Sequence, residues 1–299
     1  MRDQPAETVG SRTRLRYAVE LLYEALAPTD FIFNVHAQNT AQQQVLSESV
    51  VITPDVPYIV EREPAAGNRL LRTRGDPGPF KVRYEGHVEV AHVLAEPATV
   101  VGGPISALPA SVLRYLWPSR YCQTDHVQAM AWREFGHLPS GFGQAQAVTE
   151  WVRSRIRFQI GTSGVSTSAL ETYNQGAGVC RDFAHLTIAL LRALNYPTRF
   201  VTGVDYGADP SLGPPDFHSY AEAYIGDRWW LFDATGISPL TGLIRIGTGR
   251  DAADVAFATM FGSVRSGMPL VSFVAEEDPA AGVTLPSHPA LAVSTAGAA

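Results

Sequence analysis

The sequence predicts an α+β fold in two parts, an antiparallel β-sandwich-like domain followed by a domain in which a helix packs on an antiparallel sheet. Three observations predict it. Apolar and polar residues alternate at period two over residues 15–94. A stretch rich in Pro, Gly and Ala, residues 95–116, then interrupts that pattern, and helical spacing takes over. Beyond Leu194 the chain returns to β-branched and aromatic runs, so strands follow a helix.

Taken in order, residues 1–13 are polar and expected to be flexible. The β-rich domain is expected at 14–115. Leu15, Tyr17, Val19, Leu21 and Tyr23 form the buried face of one strand, although the Ala, Glu and Leu content of that run also suits a helix; the alternation and the turn at Pro28-Thr29-Asp30 decide for the strand. Phe31, Phe33 and Val35, then Phe80, Val82, Tyr84, Val88 and Val90, continue the alternation, with turn clusters at 63–68 and 75–78. The second domain is expected at 116–275. Helices fall at 144–156, with Val148, Trp151, Val152 and Ile156 on one face, and at 179–194, where Phe183, Leu186, Leu190, Leu191 and Leu194 make an amphipathic stripe. Strands follow at 198–204, 217–225 and 228–233, the last two joined by Gly226-Asp227, a dipeptide suited to a two-residue hairpin turn. Residues 276–299, rich in Ala, Pro, Ser and Thr, are expected to be a loose tail.

Composition excludes several classes of function. The 299 residues carry 23 Lys and Arg against 29 Asp and Glu, a net charge of -6 with no basic run, so nucleic acid is not an expected partner. No run of about 18 apolar residues occurs and the first residues have no apolar segment of the secretory kind, so a soluble, cytoplasmic protein without membrane partners is expected. Two cysteines, Cys122 and Cys180, leave no room for a disulfide scaffold or a four-cysteine zinc site, and a Cys122 to Cys180 disulfide would consume the one thiol with an evident task.

That thiol is Cys180. It stands between the glycine-rich turn Gly176-Ala177-Gly178 and the helix, so it occupies the first helical turn, where unpaired N–H groups and the macrodipole favour a thiolate. With Gly226 and Asp227 as turn residues, Ile225 pairs with Arg228 and His218 falls opposite Thr235. Asp233 is then a same-face diagonal neighbour of His218, roughly 7–8 Å away between backbones and within side-chain reach. A thiol nucleophile needs a base to take and return its proton and a third group to orient that base. Cys180, His218 and Asp233 fill these roles. The Cys180 backbone N–H is the first donor for an oxyanion, Gln175 a candidate second one, and Tyr220 and Glu222, on the His218 face, candidate cleft residues.

The segment Gly178-Val179-Cys180-Arg181-Asp182-Phe183-Ala184-His185, with Leu190-Leu191-Arg192-Ala193-Leu194 and Tyr196-Pro197-Thr198-Arg199-Phe200-Val201, closely resembles bacterial transglutaminase-like proteins. His218 in Asp216-Phe217-His218-Ser219-Tyr220-Ala221-Glu222 and Asp233 in Trp229-Trp230-Leu231-Phe232-Asp233-Ala234-Thr235 match that family's other two motifs, and the alternating first part resembles its β-rich N-terminal region. The resemblance implies a papain-like core, with the nucleophile on a helix and the His and Asp on adjacent strands. Animal transglutaminases carry Gln before the cysteine and Trp after it; Val179 and Arg181 stand here, so cross-linking does not carry over and hydrolysis is expected instead. The implied activity is a cysteine-dependent amide or peptide hydrolase or acyltransferase working through a thioester. Two alternatives are a peptide-binding module without turnover and a true amine-incorporating transglutaminase.

No cofactor is expected. Cys180, Asp182 and His185 match no zinc spacing and no acidic loop suits calcium, so no metal is expected either. His185, five residues after the thiol, lies off its face and reads as structural. Trp229 and Trp230 read as hairpin core and rim, and Arg250-Asp251, which resembles a recurrent family feature, as a structural ion pair.

Overall fold

Alternation over residues 15–25 becomes the longest buried seam of the first domain. In the computed structural model, which describes residues 8–208, 211 and 215–296, β1 (Thr8–Ala25) runs antiparallel to β6 (Gly78–Ala95) from Thr8 opposite Leu94 to Ala25 opposite Gly78. β3 (Gln43–Thr53) pairs with the other edge of β6. A second sheet carries β2 (Thr29–Phe33), β5 (Arg69–Gly75) and β4 (Tyr58–Arg62). Leu15, Tyr17, Val19 and Leu21 meet Phe31, Phe33, Leu71, Phe80 and Tyr84 in one core between the sheets, with Phe31 and Phe80 stacked at 4.5 Å. Each such side chain contributes about 1.5–3 kcal/mol by leaving water. The expected flexible segment 1–13 divides: residues 1–7 lie outside the described residues, while Thr8 already belongs to β1.

After α1 (Ala110–Leu113) the second domain follows with α2 (Thr124–Phe135), α3 (Phe142–Arg155), β7 (Arg157–Phe158), α4 (Ala169–Gln175), β8 (Ala177–Gly178) and α5 (Cys180–Ala193). Every residue of α5 from Asp182 to Ala193 is buried, so the expected one-sided stripe is a helix enclosed on all sides. Asn195, in the left-handed region at φ 68°, ends it, a conformation that Asn tolerates beyond a helix terminus. β9 (Thr198–Asp205), β10 (Phe217–Ile225), β11 (Arg228–Phe232) and β12 (Leu243–Gly249) form an antiparallel sheet ordered β11-β10-β9-β12. Ala221, Ala223, Ile225, Trp230 and Phe232 pack from this sheet against Leu186, Leu190 and Leu191 of α5. The hairpin has the predicted register, Ile225 opposite Arg228 and Ala221 opposite Phe232, and Gly226 at φ 71° supplies the turn.

The last third of the chain corrects the expected boundaries. β13 (Ala258–Phe261) pairs with β2, and β14 (Val264–Ser266) and β15 (Leu270–Glu276) pair with β1, so 258–276 completes the first domain's sheets. The segment beyond Glu276 is no loose tail: β16 (Ala292–Ser294) pairs with β6, and residues 292–296 are buried. Composition hid this because a three-residue strand anchors through backbone bonds and small side chains. Val293→Asp, placing a carboxylate where Val293 is 1% exposed, is expected to lower stability by at least ~2 kcal/mol in urea unfolding, whereas a free tail would leave the midpoint unmoved.

Candidate active site

The Cys180 amide belongs to the first turn of α5, whose early N–H groups have no helical acceptor. Val179 precedes it in extended conformation, φ −109° and ψ 178°, and the buried Asp182 carboxylate accepts the Val179 N–H at 2.9 Å, locking the turn that presents the thiol. The other Asp182 oxygen accepts the Ser163 hydroxyl at 2.9 Å, and the Arg181 guanidinium also bonds Ser163, so the 163–164 loop is tied to the same turn. The two cysteines are both free and differ sharply. Cys180 is half-buried, with its sulfur 3.8 Å from the Phe217 carbonyl; Cys122 is fully buried, and burial pushes its thiol up to about 12.

His218 and Asp233 converge on that sulfur from the sheet. His218 Nε2 donates to Asp233 Oδ2 at 3.0 Å, both residues being buried. Thr235 donates to Asp233 Oδ1 through its N–H at 2.9 Å and its hydroxyl at 2.7 Å, so both carboxylate oxygens are engaged. Arg153 of α3 holds the backbone here, bonding the Asp233 carbonyl at 2.9 Å and the Ala234 carbonyl at 3.3 Å. Gly236, at φ 63°, lets that guanidinium in, since a Cβ there would stand 2.7 Å from Arg153 Cζ. The Cys180 side chain also helps to hold the charge on the His218 ring; with Nε2 committed to Asp233, Nδ1 is the nitrogen left to face the thiol.

Burial disfavours the charged imidazole, but the carboxylates of Asp233 and Asp205 outweigh it and hold His218 well above its ordinary value of 6.5. Burial would likewise raise Asp233, yet the His218 charge and the bonds from His218 and Thr235 keep it below 3.8. The His218 shift stabilises the fold fully below pH 6.5 and is lost as the pH rises through the raised value. The Asp233 shift stabilises it above 3.8 and is lost as the pH falls.

Of the predicted residues, Cys180, His218 and Asp233 come together, Tyr220 lies beside the His218 ring, and Gln175 and Glu222 are engaged elsewhere. Gln175 is exposed at the end of α4, its amide given to the Thr162 carbonyl at 3.2 Å. Tyr220 is 1% exposed, its ring stacked beside that of His218 at 6.3 Å. Glu222 is fully buried between Arg199, at 2.6 Å, and Arg245. Neither the face of a strand nor distance along the chain reports depth, which is what sets these three apart. His185 is structural: fully buried between Tyr121 and Phe200, it accepts the Ala252 N–H on Nε2 at 3.2 Å, and burial holds its ring neutral. Trp229 and Trp230 are both buried, Trp229 under the Arg199 guanidinium at 4.2 Å. The expected pair Arg250-Asp251 is corrected: Arg250 bonds Asp254 at 2.9 and 3.0 Å, while the Asp251 carboxylate accepts the N–H groups of Tyr121 and Ala253.

Sequence reasoning missed Arg153, Thr235, Ser238 and Asp205. Asp205 Oδ2 lies 3.7 Å from His218 Nδ1 and accepts the Ser238 hydroxyl. Its approach depends on the β9–β10 register, His218 opposite Gly203, and a long connection joins those strands, so no short turn reveals the pairing.

A β-sandwich joined to a core in which a buried helix presents a thiol to an imidazole on an antiparallel sheet defines the papain-like class of cysteine-enzyme folds. The family model for the bacterial transglutaminase N-terminal domain matches residues 13–111, and that for the transglutaminase-like superfamily matches residues 128–234. The crystal structure of a candidate cysteine protease from Cytophaga hutchinsonii is 34% identical, superposes with a TM-score of 0.89, and is matched over 96% of this chain and 99% of its own. This chain belongs to the transglutaminase-like superfamily. It also resembles an uncharacterized protein of Mycobacterium leprae, 38% identical over 115 residues, 37% of this chain and 41% of that protein. An uncharacterized protein of Mycobacterium tuberculosis is 31% identical over 109 residues, 33% of this chain and 35% of that protein. The match thus spans about two-fifths or less of these curated relatives. Among the described residues no helix is long and apolar enough to cross a membrane.

Proposed function

We propose that this protein is a cysteine-dependent hydrolase or acyltransferase acting on a peptide or related amide through a thioester. The observation that carries the reading is the half-buried thiol at the head of α5 beside an imidazole whose Nε2 sits on a buried carboxylate bonded through both oxygens. The Cys180 proton passes to His218 Nδ1; sulfur attacks the amide carbonyl, and the oxyanion gathers against the Cys180 N–H. The C–N bond breaks as Nδ1 returns the proton to the leaving amine. Water or an amine then gives a proton to Nδ1 and attacks the thioester, and that proton goes back to sulfur as the acid or new amide leaves. Asp233 keeps Nδ1 the working nitrogen throughout. The Cytophaga relative's description as a candidate cysteine protease supports hydrolysis, as do Val179 and Arg181 beside the nucleophile. The two free cysteines suit a reducing compartment, and we place the protein in the cytoplasm on that ground.

The experiment is a screen of peptide and amide substrates with and without a primary amine, following free acid and amine incorporation separately. Release of acid in excess is expected; incorporation in excess would make the protein a transglutaminase. In the active assay Asp233→Asn is expected to lower kcat by on the order of 10²- to 10⁴-fold with KM little changed, because an amide in that place no longer stabilises the imidazolium. A change confined to KM would remove Asp233 from this role.

A further inference from the structure

Beside His218 stands a second carboxylate that a three-residue mechanism leaves idle. Asp205 ends β9 two residues beyond Gly203, the partner of His218, so its side chain emerges on the imidazole's face of the sheet. It is 5% exposed, its Oδ2 is 3.7 Å from Nδ1, and the fully buried Ser238 donates its hydroxyl to that same oxygen. A buried carboxylate held by one hydroxyl and aimed at a buried ring nitrogen is too costly to be accidental packing. Nδ1 is also the nitrogen through which every proton of the reaction passes.

We propose that Asp205, braced by Ser238, is a positioning residue that holds the His218 ring from the Nδ1 side and supplies a counter-charge when sulfur is acylated. The inference rests on the acyl-transfer reading above. Before attack the imidazolium has two anionic neighbours besides Asp205, the thiolate and Asp233. Once the thioester forms, sulfur is neutral and one of them is gone. When water or an amine then gives its proton to Nδ1, the ring becomes charged beside an uncharged sulfur, and Asp205 at 3.7 Å offsets the missing thiolate. At that distance the contact is electrostatic, without a direct hydrogen bond, so it leaves Nδ1 free to exchange its proton with the acceptor. Asp205 therefore favours the second half of the reaction more than the first.

The groups facing the ring are Cys180 from α5, Asp205 from β9, Asp233 after β11 and Tyr220 on its own strand, with Asp216 near Asp205 at the strand's start. Removing one anion from this set has a defined sign: the ring loses its proton at lower pH. Histidine-labelled NMR titration is to be run on wild type, Asp205→Asn and Asp205→Glu, alongside the pH profile of Cys180 alkylation by iodoacetamide. Asp205→Asn is expected to move the His218 titration down by about one pH unit or more, and the alkaline inflection of alkylation with it, while Asp205→Glu recovers most of the shift. The same step is expected in a Cys180→Ala background, where sulfur contributes no charge. Ser238→Ala, which withdraws the brace and keeps the carboxylate, gives a smaller downward step and serves as the second arm if Asp205→Asn does not fold. A His218 titration that stays put in the folded variants overturns the proposal. An alkylation profile in wild type that ignores the His218 titration sinks the acyl-transfer reading instead, and the Asp205 shift remains measurable on its own.

Discussion

Cys180→Ala is expected to abolish amide turnover, a loss on the order of a million-fold, while leaving the unfolding midpoint of the protein within about 0.5 kcal/mol of wild type. The asymmetry follows from where the side chain sits. Its sulfur is half-buried at the first position of α5, outside the leucine core, and Ala suits a helix start nearly as well as any residue. Chemically nothing replaces it: without sulfur there is no thioester, and His218 is left with a proton it cannot usefully deliver. Intact-mass detection of an acyl-enzyme in wild type, and its disappearance in the variant, separates covalent catalysis from assisted attack by water. If the variant hydrolyses the same substrate at a tenth of the wild-type rate, the nucleophile is elsewhere. If neither protein turns over any amide yet both bind peptides equally, the cleft is a binding module. Cys122→Ala is the control, since that thiol is sealed in the core with its proton held up to about 12.

The three residues on which this turns were legible because each is encoded locally. A glycine turn before an apolar run fixes Cys180 at a helix start, and a two-residue turn fixes the β10–β11 register, so the His218–Asp233 contact follows from counting. Of the first domain's strands, β1, β2 and β6 were legible for the same reason, period two being visible without knowledge of the partner strand, whereas β3, β4 and β5 carry no named run. What was not legible depended on pairings between distant segments. The return of 258–276 and 292–294 to the first domain's two sheets, the approach of Asp205 to Nδ1, and the burial of Glu222 all arise from strands joined by long connections, where no turn pins the register. Glu222 shows the limit most plainly. Period two correctly put it on the His218 face, but a face of this sheet is wet in one place and sealed in another, and which one depends on the first domain and the C-terminal strand packing over it.

That seal makes Glu222→Ala the substitution with the largest expected effect on stability. The carboxylate is fully buried and holds two arginines, Arg199 through Nε at 2.8 Å and Nη2 at 2.6 Å, and Arg245 from the other side. Burial opposes its charge, but the two guanidinium groups outweigh that and keep it below its ordinary value of 4.5. Arg245 is only 3% exposed and stands where three segments meet. Its backbone exchanges bonds with the Gln43 amide of β3, 2.8 Å on the N–H and 2.7 Å on the carbonyl, and its guanidinium donates to Thr295 beyond β16 at 2.9 Å. Truncation to Ala strands the buried Arg245 and the partly buried Arg199, which is expected to cost about 3–5 kcal/mol in urea unfolding at neutral pH, a large share of a typical domain's stability. The wild-type protein loses the same contribution in acid, as the pH falls from 4.5 through the lowered value and the carboxylate takes up a proton. Replacing all three residues together with apolar side chains of similar volume is expected to recover most of the loss, since the penalty lies in the orphaned charges more than in the missing bonds. A Glu222→Ala protein with an unchanged midpoint would mean that water reaches both arginines, and that the junction between β3, β12 and the C-terminal strand is open where the structure has it closed.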